Sequence, residues 1–416
     1  MPDVPSRILI IGAGVVGLST ALYLQRASRQ VTVIDPTPAG GASFGNAGMI
    51  SADTAVPIVL PGMLGKLPGW LFDRLGPLSV DPAYLPRALP WLLRSMQAGR
   101  AARVLAISDA MRALHRNAFA CWKELLGAQR FYALIRVAGQ VHVWESDAEL
   151  RSAELERSLR QRHGIASESL HADDLRQMFP GISRAIRHGV LIPGNGYTVD
   201  PQRLVRALGE LLLEAGGEMA AERAMKIIPR ESALGYTVMT NVGCRHTSAL
   251  VVAAGAWSGR LLDPLGVRLP LEAERGYHAM LPSPGIEVKT AITNKTRGFA
   301  LTPMEGGLRI AGTVEFAGLD APPNERRAEV LLEHARRMFA KVDVTGHSLW
   351  MGFRPSTPDS LPIVGAAPGR PGLYLAFGHG HFGMTGGPPT GRLLSRLING
   401  REPDIDAAAY APVRFL

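Results

Sequence analysis

The sequence predicts an α/β chain, α+β overall: a parallel nucleotide-type unit, discontinuous along the chain, with an antiparallel-sheet domain inserted into it. Three observations predict it. Two apolar runs flank a glycine-rich turn at the N-terminus, alternating segments punctuated by turns fill 268–315, and glycine-rich sequence returns after Trp350.

The N-terminal unit is the most specific. Arg7-Ile-Leu-Ile-Ile11 reads as a strand and leads straight into Gly12-Ala-Gly14-Val15-Val16-Gly17. A helical stretch and a second strand, Val31-Thr-Val-Ile-Asp35, follow. Strand, GxGxxG, helix, strand and acid in register form the Rossmann-type dinucleotide fingerprint. Gly12 lets the backbone turn, Gly14 leaves room for a pyrophosphate, and Gly17 lets the helix pack on the sheet. The helix N-terminus supplies the positive end of a dipole. Asp35, 18 residues beyond Gly17, is placed to accept hydrogen bonds from a ribose. The next segment, Pro38-Ala-Gly-Gly-Ala-Ser43-Phe-Gly-Asn46-Ala47-Gly48-Met-Ile-Ser51, carries four glycines instead of another βα unit. Backbone amides lying along a longer cofactor that reaches to an isoalloxazine ring explain it better than a flexible surface loop.

Composition bounds the rest. The 416 residues suggest about two domains of a globular enzyme. Cys121 and Cys244 cannot build a disulfide framework or a metal site by themselves, so a reducing, cytoplasmic compartment and no metal are expected. Arg7 to Leu18 resembles a signal peptide, but cleavage there would destroy the fingerprint. No run approaches the ~18 apolar residues of a membrane span. The formal charge of +9 favours anions. No lysine block or aromatic-basic ladder points to nucleic acid, and none is expected as a partner.

Further elements follow from periodicity. Residues 57–105 are rich in Pro, Leu and Trp, with Arg74, Arg87, Arg94, Arg100 and Arg103 interleaved. They read as short helices that either cover the substrate domain or present an amphipathic face to lipid or quinone. A helix is expected at 104–127, a hairpin around Gly139 within 131–144, and a charged helix at 147–163. Residues 191–200 cross between domains. Asp200-Pro201 opens a helix whose buried face is Leu204, Val205, Leu208, Leu211 and Leu212, ended by Gly216-Gly217. Strands are expected near 224–228 and 236–240, and at 249–257, where small residues end a strand beside the cofactor. Segments 276–281, 289–293, 298–302 and 308–313 read as antiparallel strands, with a helix at about 325–340.

Residues 350–386 complete the pattern: Gly352-Phe-Arg354-Pro355 with Thr357-Pro-Asp359, then Gly378-His379-Gly380-His381-Phe-Gly383-Met384-Thr385. With the fingerprint, the Ser43–Gly48 loop, Ala254-Gly255-Ala-Trp257 and Glu274-Arg-Gly-Tyr-His278, the chain resembles the D-amino-acid oxidase superfamily of flavoenzymes. It looks most like the bacterial D-amino-acid dehydrogenase branch and its glyphosate oxidoreductase-like and D-hydroxyproline dehydrogenase-like relatives. The resemblance implies a discontinuous FAD-binding domain, residues 1–56, 197–262 and 346–416, and a substrate domain, 57–196 and 263–345. It implies FAD bound without a covalent link, since the cysteine that tethers flavin in sarcosine oxidases near the position of Arg354 has no counterpart here. Met225 joins Gly352 and the motif residues above among the expected cofactor contacts.

The resemblance also implies roles. Arg354 would pair with a substrate carboxylate, which suits a planar, always-charged guanidinium. Tyr277 would share that carboxylate or stand as a wall residue. His278 would meet an amine or water, or be a satisfied wall residue. His379, with His381, would place a positive or hydrogen-bonding group at the flavin edge. The expected reaction is dehydrogenation of a D-amino acid or N-substituted glycine by hydride transfer from Cα to flavin N5, giving an imine and then a 2-oxo acid. Alternatives are an oxygen-using glycine or sarcosine oxidase, a D-proline or D-hydroxyproline dehydrogenase, and a flavin-binding subunit of an electron-transfer complex. The acceptor (quinone or oxygen), contact with the inner face of a plasma membrane, and oligomeric state stay open.

Overall fold

The computed structural model describes residues 7–62, 69, 73, 75–230 and 235–416. Pro68, Trp70 and Arg74, singled out in the proline-rich stretch, lie outside the described residues.

The first layer is a six-stranded sheet in the order Glu218–Ala220, Gln30–Ile34, Arg7–Ile11, Ala249–Val252, Leu373–Phe377, Ile363–Ala366. All neighbours are parallel except the last pair. Its central strands, Arg7–Ile11 from Ile8 onward and Ala249–Val252, are apolar because both faces are covered. Ile8 and Ile10 pack with Leu18, Leu22, Leu204 and Leu208 of the helices Val15–Arg26 and Pro201–Glu214. Leu9 and Ile11 face the other way, against Val238 and Leu261. The strands Ala224–Pro229 and Tyr236–Thr240 belong instead to a separate three-stranded antiparallel sheet completed by Cys244–Thr247. Asp200 starts its helix as its chemistry requires, its carboxylate accepting from the amides of Gln202 at 2.8 Å and Arg203 at 3.0 Å.

The second layer is a nine-stranded, mostly antiparallel sheet. Its longest strand, Glu272–Leu281, pairs with Gly307–Phe316 on one side and Ser348–Ser356 on the other. Helix Glu325–Met338 covers one face, burying Leu331 and Ala335 against Leu281, Leu301 and Ile310. The opposite face looks toward the cofactor layer. Gly307–Phe316 carries a bulge: Gly312 and Glu315 sit opposite Tyr277 and Arg275, so two residues oppose Gly276.

Periodicity identified faces but not partners. No hairpin forms at 131–144: Phe131 lies in the last turn of helix Ala118–Leu134, Ile135–Arg136 pairs with Gly196–Thr198, and Gln140–Trp144 pairs with His188–Ile192 and Ala291–Asn294. The helix expected at 104–127 is two helices, Ala101–His115 and Ala118–Leu134. The charged helix is likewise two, Asp147–Ser152 and Glu154–Arg162. In the proline-rich stretch, helix Leu85–Ala98 covers the second sheet, one of the two alternatives expected of it. Trp91 packs on Phe316 and donates to the Ser356 carbonyl, covering the second sheet, while Leu85, Leu89 and Leu93 remain exposed.

Asp200→Ala removes two hydrogen bonds from a helix that supports the first sheet. It should cost about 1 kcal/mol, read as a lower urea midpoint with an unchanged slope, whereas Asp200→Asn should retain most of the stability.

Candidate active site

A cavity of about 1250 Å³ runs between the two layers. That is larger than the ~300–1,000 Å³ of a pocket for one drug-sized ligand. At one end it is lined by Gly12, Gly14, Val15, Val16, Asp35, Met225 and Ala254. Gly12 has φ +114°, and a Cβ there would stand 2.3 Å from the Ala253 carbonyl. A Cβ on Gly17 would stand 1.9 Å from the Gly12 carbonyl, so Gly17 packs behind the turn rather than lining the cavity. Helix Val15–Arg26 begins at Gly14 with no side-chain cap. Its first amides therefore open on the cavity, apart from Val15 N–H, which donates to Ser43 Oγ at 3.1 Å. Asp35 accepts from the amides of Ala13 and Thr37, which aims the carboxylate beside the turn. Gly255 and Trp257 extend the wall, with Trp257 edge-on to Phe353 at 5.3 Å.

These residues fit FAD. The cradle is one that a Cβ would fill, the uncapped helix end suits a pyrophosphate, and the same cavity continues to Arg354, Gly380 and Gly383. Between the two ends lies the loop 44–48, lined toward the cavity by Gly45, Asn46 and Ala47. It is held from the second layer. Arg309 donates to the carbonyls of Phe44 and Asn46, and His278 Nδ1–H donates to the Gly45 carbonyl at 2.9 Å. The Thr198 amide donates to the Gly48 carbonyl at 2.7 Å. Asn46 Oδ1 accepts from Gly48 N–H, and Gly48, at φ +78°, leaves no room for a Cβ beside Met304.

At the far end the paired strands place Glu274, Gly276 and His278 opposite Arg354, Gly352 and Trp350. The Arg354 guanidinium lies over Gly276, where a Cβ would come within 2.3 Å of it. It donates to the Thr313 carbonyl at 3.0 Å and to the Gly312 carbonyl at 3.4 Å. The bulge turns those carbonyls toward it, and Thr313 takes φ +52°, an outlier for a β-branched residue. Two of its five guanidinium donors are used in this way, and Arg354 lines the cavity. Glu274 is buried, and its Oε2 lies 2.9 Å from His381 Nε2. Burial raises its carboxyl, but His381 and Arg354 outweigh burial and hold it below the usual carboxylate range.

The sequence-predicted set divides here. Gly12, Gly14, Val15, Val16, Asp35, Ser43, Asn46, Ala47, Met225, Ala254, Gly255, Trp257, Gly352, Arg354, His379, Gly380, Gly383, Met384 and Thr385 line one cavity. Gly17, Gly48 and Gly378 stand behind it and shape turns. Tyr277 is not free to share a carboxylate: its hydroxyl donates to Glu315 at 2.5 Å and accepts from Asn324 N–H, in the core beneath helix Glu325–Met338. His278 is 3 % exposed and stacks on Trp350, so it touches the loop rather than an amine. His379 lines the cavity with Nε2 on Thr390 Oγ1 at 2.8 Å and Nδ1 without a partner. Burial depresses it to about 3, so it is a neutral hydrogen-bonding group and not a cation. Among the described residues no group of His, Cys, Asp or Glu is arranged to hold a metal ion.

Sequence reasoning missed Glu274 and Thr313. Strand alternation from Gly276 would have found Glu274. No local signal marks Thr313, because the bulge depends on the register of two strands.

Burial holds His115 and His142 at about 3 and His278 at about 4, alongside His379. The unfolded chain takes these protons near 6.5 while the folded chain does not. Stability should therefore fall as pH drops from about 6.5 toward 4, measured by urea midpoint. His278→Phe keeps the ring on Trp350 and removes the hydrogen bond to Gly45. It should weaken flavin retention by roughly fivefold, about 1 kcal/mol, followed by flavin fluorescence on dilution.

The chain matches the DAO family, described as FAD dependent oxidoreductase, over residues 7–397. It is 38 % identical to a D-amino-acid oxidase of Bradyrhizobium diazoefficiens over 99 % of both chains. Its fold is similar to glycine oxidase from Geobacillus kaustophilus, with a TM-score of 0.74 at 23 % identity over 99 % of this chain and 100 % of that one. It is also similar to iminodiacetate oxidase from Chelativorans, with a TM-score of 0.72 at 21 % identity over 98 % and 99 %. The glycine cradle, the uncapped helix end and the match along nearly the whole chain agree: the protein belongs to the DAO family of FAD-dependent oxidoreductases.

Proposed function

We propose that the protein oxidises a D-amino acid or a closely related N-substituted glycine, yielding an imine that hydrolyses to a 2-oxo acid. The observation that carries this reading is Arg354. Its guanidinium is fixed over Gly276 by two backbone carbonyls and lies in the same cavity as the nucleotide cradle. A guanidinium with unused planar donors at the end of a flavin cavity is built to receive a carboxylate. Glycine at 276 leaves room for the Arg354 guanidinium, and glycine at 352 leaves room for the Trp350 indole. The 38 % identical D-amino-acid oxidase supports the choice of D-amino acid.

When bound, FAD supplies two-electron acceptance at N5. The chain supplies position and field. Arg354 anchors the carboxylate and so orients Cα. Glu274 balances the buried guanidinium and holds His381 at the cavity wall. His379, neutral, offers Nδ1. In this reading residues 1–56, 197–262 and 346–416 bind the cofactor, and 57–196 and 263–345 form the substrate part. The strand Ser348–Ser356 carries Arg354 into the second sheet.

The reading extends to the surface. Leu85, Leu89, Leu93 and Leu105 are exposed alongside Arg87, Arg94, Arg100 and Arg103, and no Asp or Glu occurs between 82 and 108. This face suits peripheral contact with an anionic bilayer and electron delivery to a quinone. Among the described residues no helix is long and apolar enough to cross a membrane.

Anaerobic addition of a D-amino acid should bleach the oxidised flavin, and its L-enantiomer should not. Arg354→Met should lower kcat/KM by roughly 30- to 4,000-fold, equivalent to about 2–5 kcal/mol, with KM rising sharply. Unchanged kinetics would remove Arg354 from the site. Admission of air then separates acceptors: rapid reoxidation with peroxide excludes the quinone-linked form. Flotation with anionic but not zwitterionic vesicles, lost in Leu89→Asp, tests the surface contact.

A further inference from the structure

The cavity does not stop at Arg354. It continues over the second sheet past Ala311, Ala300 and Thr293 to a polar annex formed by His142, Glu156, Arg160 and Lys295. Register explains the path: Ala311 pairs with Ala300, Ala300 with Thr293, and Thr293 with His142, so these side chains share one face. The small residues between the two ends leave a channel. In the annex Lys295 Nζ lies 3.1 Å from Glu156 Oε1, and Arg160 Nη1 lies 3.7 Å from Glu156 Oε2. Three buried polar atoms have no hydrogen-bond partner: His142 Nδ1, Glu156 Oε2 and Arg160 Nε. Arg160 is 4 % exposed. Buried polar atoms without partners are rare, and three of them fall within this one cluster at the end of the cavity. Two cations face one carboxylate there, and the imidazole is held neutral by burial and by the adjacent Lys295. Glu149 also lines this end, its Oε2 accepting from Thr296 Oγ1, so the cationic part of the annex is the pair Lys295 and Arg160 around Glu156.

We propose that the annex is a second carboxylate subsite, so that the substrate is an amino acid with a further carboxylate at the far end of its side chain. The proposal rests on the reading of Arg354 given above. Arg354 sits over the carbonyls of Gly312 and Thr313, and Asn294 lies level with Gly312 two strands away. Lys295 is one residue further, level with Thr313. Two to three strand spacings separate the two cationic ends by ~10–14 Å. A charge-assisted hydrogen bond of about 2.8 Å at each end leaves ~4–8 Å between the two carboxylates. An extended chain covers ~1.2 Å per bond, so three to seven bonds fit. That range spans the carbon skeletons of glutarate, adipate and pimelate.

Titration of the holoenzyme with glutarate, adipate, pimelate and hexanoate, followed by perturbation of the flavin spectrum, tests this without turnover. At least one dicarboxylate should bind tenfold or more tighter than hexanoate. Lys295→Met, at a half-buried position, should abolish that preference and leave hexanoate within about twofold. Arg160→Met should do the same if it retains flavin. Equal binding of all four acids, or a Lys295→Met variant that weakens hexanoate as much as the dicarboxylates, would overturn the subsite. The D-amino acids bearing these skeletons, compared with D-norleucine, then test turnover. A dicarboxylate preference in binding with no bleaching by any D-amino acid would sink the amine-oxidation reading and leave the subsite standing.

Discussion

The antiparallel ladder between Glu272–Leu281 and Ser348–Ser356 is the constraint on which the site depends. Nine paired residues, from Glu272 opposite Ser356 to Met280 opposite Ser348, set which side chains share a face. One face receives Arg354, Glu274, the two glycines, Trp350 and His278 together. A slip of one residue would turn this set toward the core under helix Glu325–Met338 and bring Arg275 to the cavity face. The ladder is held by burial: nine of the ten residues of Glu272–Leu281 are buried. Arg275, 0 % exposed, locks the same strand from beneath by donating to the carbonyls of Gly318, Ala321 and Pro322.

The ladder also connects the two layers. His278 and Trp350, stacked on each other, and Arg309 from the neighbouring strand grip the loop 44–48 through its backbone carbonyls. That loop follows the second strand of the nucleotide unit directly. The second sheet thus shapes part of the cavity wall that the nucleotide unit opens, and one set of strands holds both the loop and Arg354. Hydrogen bonds to carbonyls do this without adding charge. His278 and His379 are kept neutral by burial, and the buried guanidinium of Arg354 is balanced by Glu274 at that end.

Much of this was legible along the chain. The nucleotide turn was readable because its glycines answer to contacts a few residues or one strand away: Gly17 meets the Gly12 carbonyl and Gly12 meets Ala253. The Asp200 cap was readable because an N-cap acts within three residues. Arg354 was found through resemblance rather than periodicity. Tyr277 and His278 were each open between a substrate contact and a satisfied wall residue, and the structure gives both hydroxyl and imidazole protein partners, Glu315 and the Gly45 carbonyl. The two are consecutive residues of a strand and so point to opposite faces, and no local pattern says which face meets the substrate when both are buried. The hairpin expected at 131–144 failed, since alternation at Val141 and Val143 records a buried face and not the identity of the paired strand.

By itself, the sequence determined the dinucleotide unit, the antiparallel character of the second sheet and the arginine of the Gly352-Phe-Arg354-Pro355 motif as a cavity residue, because each rests on short-range stereochemistry or on a motif with its spacing intact. Only the tertiary structure decided which side of Glu272–Leu281 faces the cofactor. It alone created the bulge that aims Gly312 and Thr313 at Arg354, and it alone brought His142, Glu156, Arg160 and Lys295 to one end of the cavity. Those outcomes depend on pairing between segments far apart along the chain, and pairing energy is spread over whole ladders rather than written in any one residue.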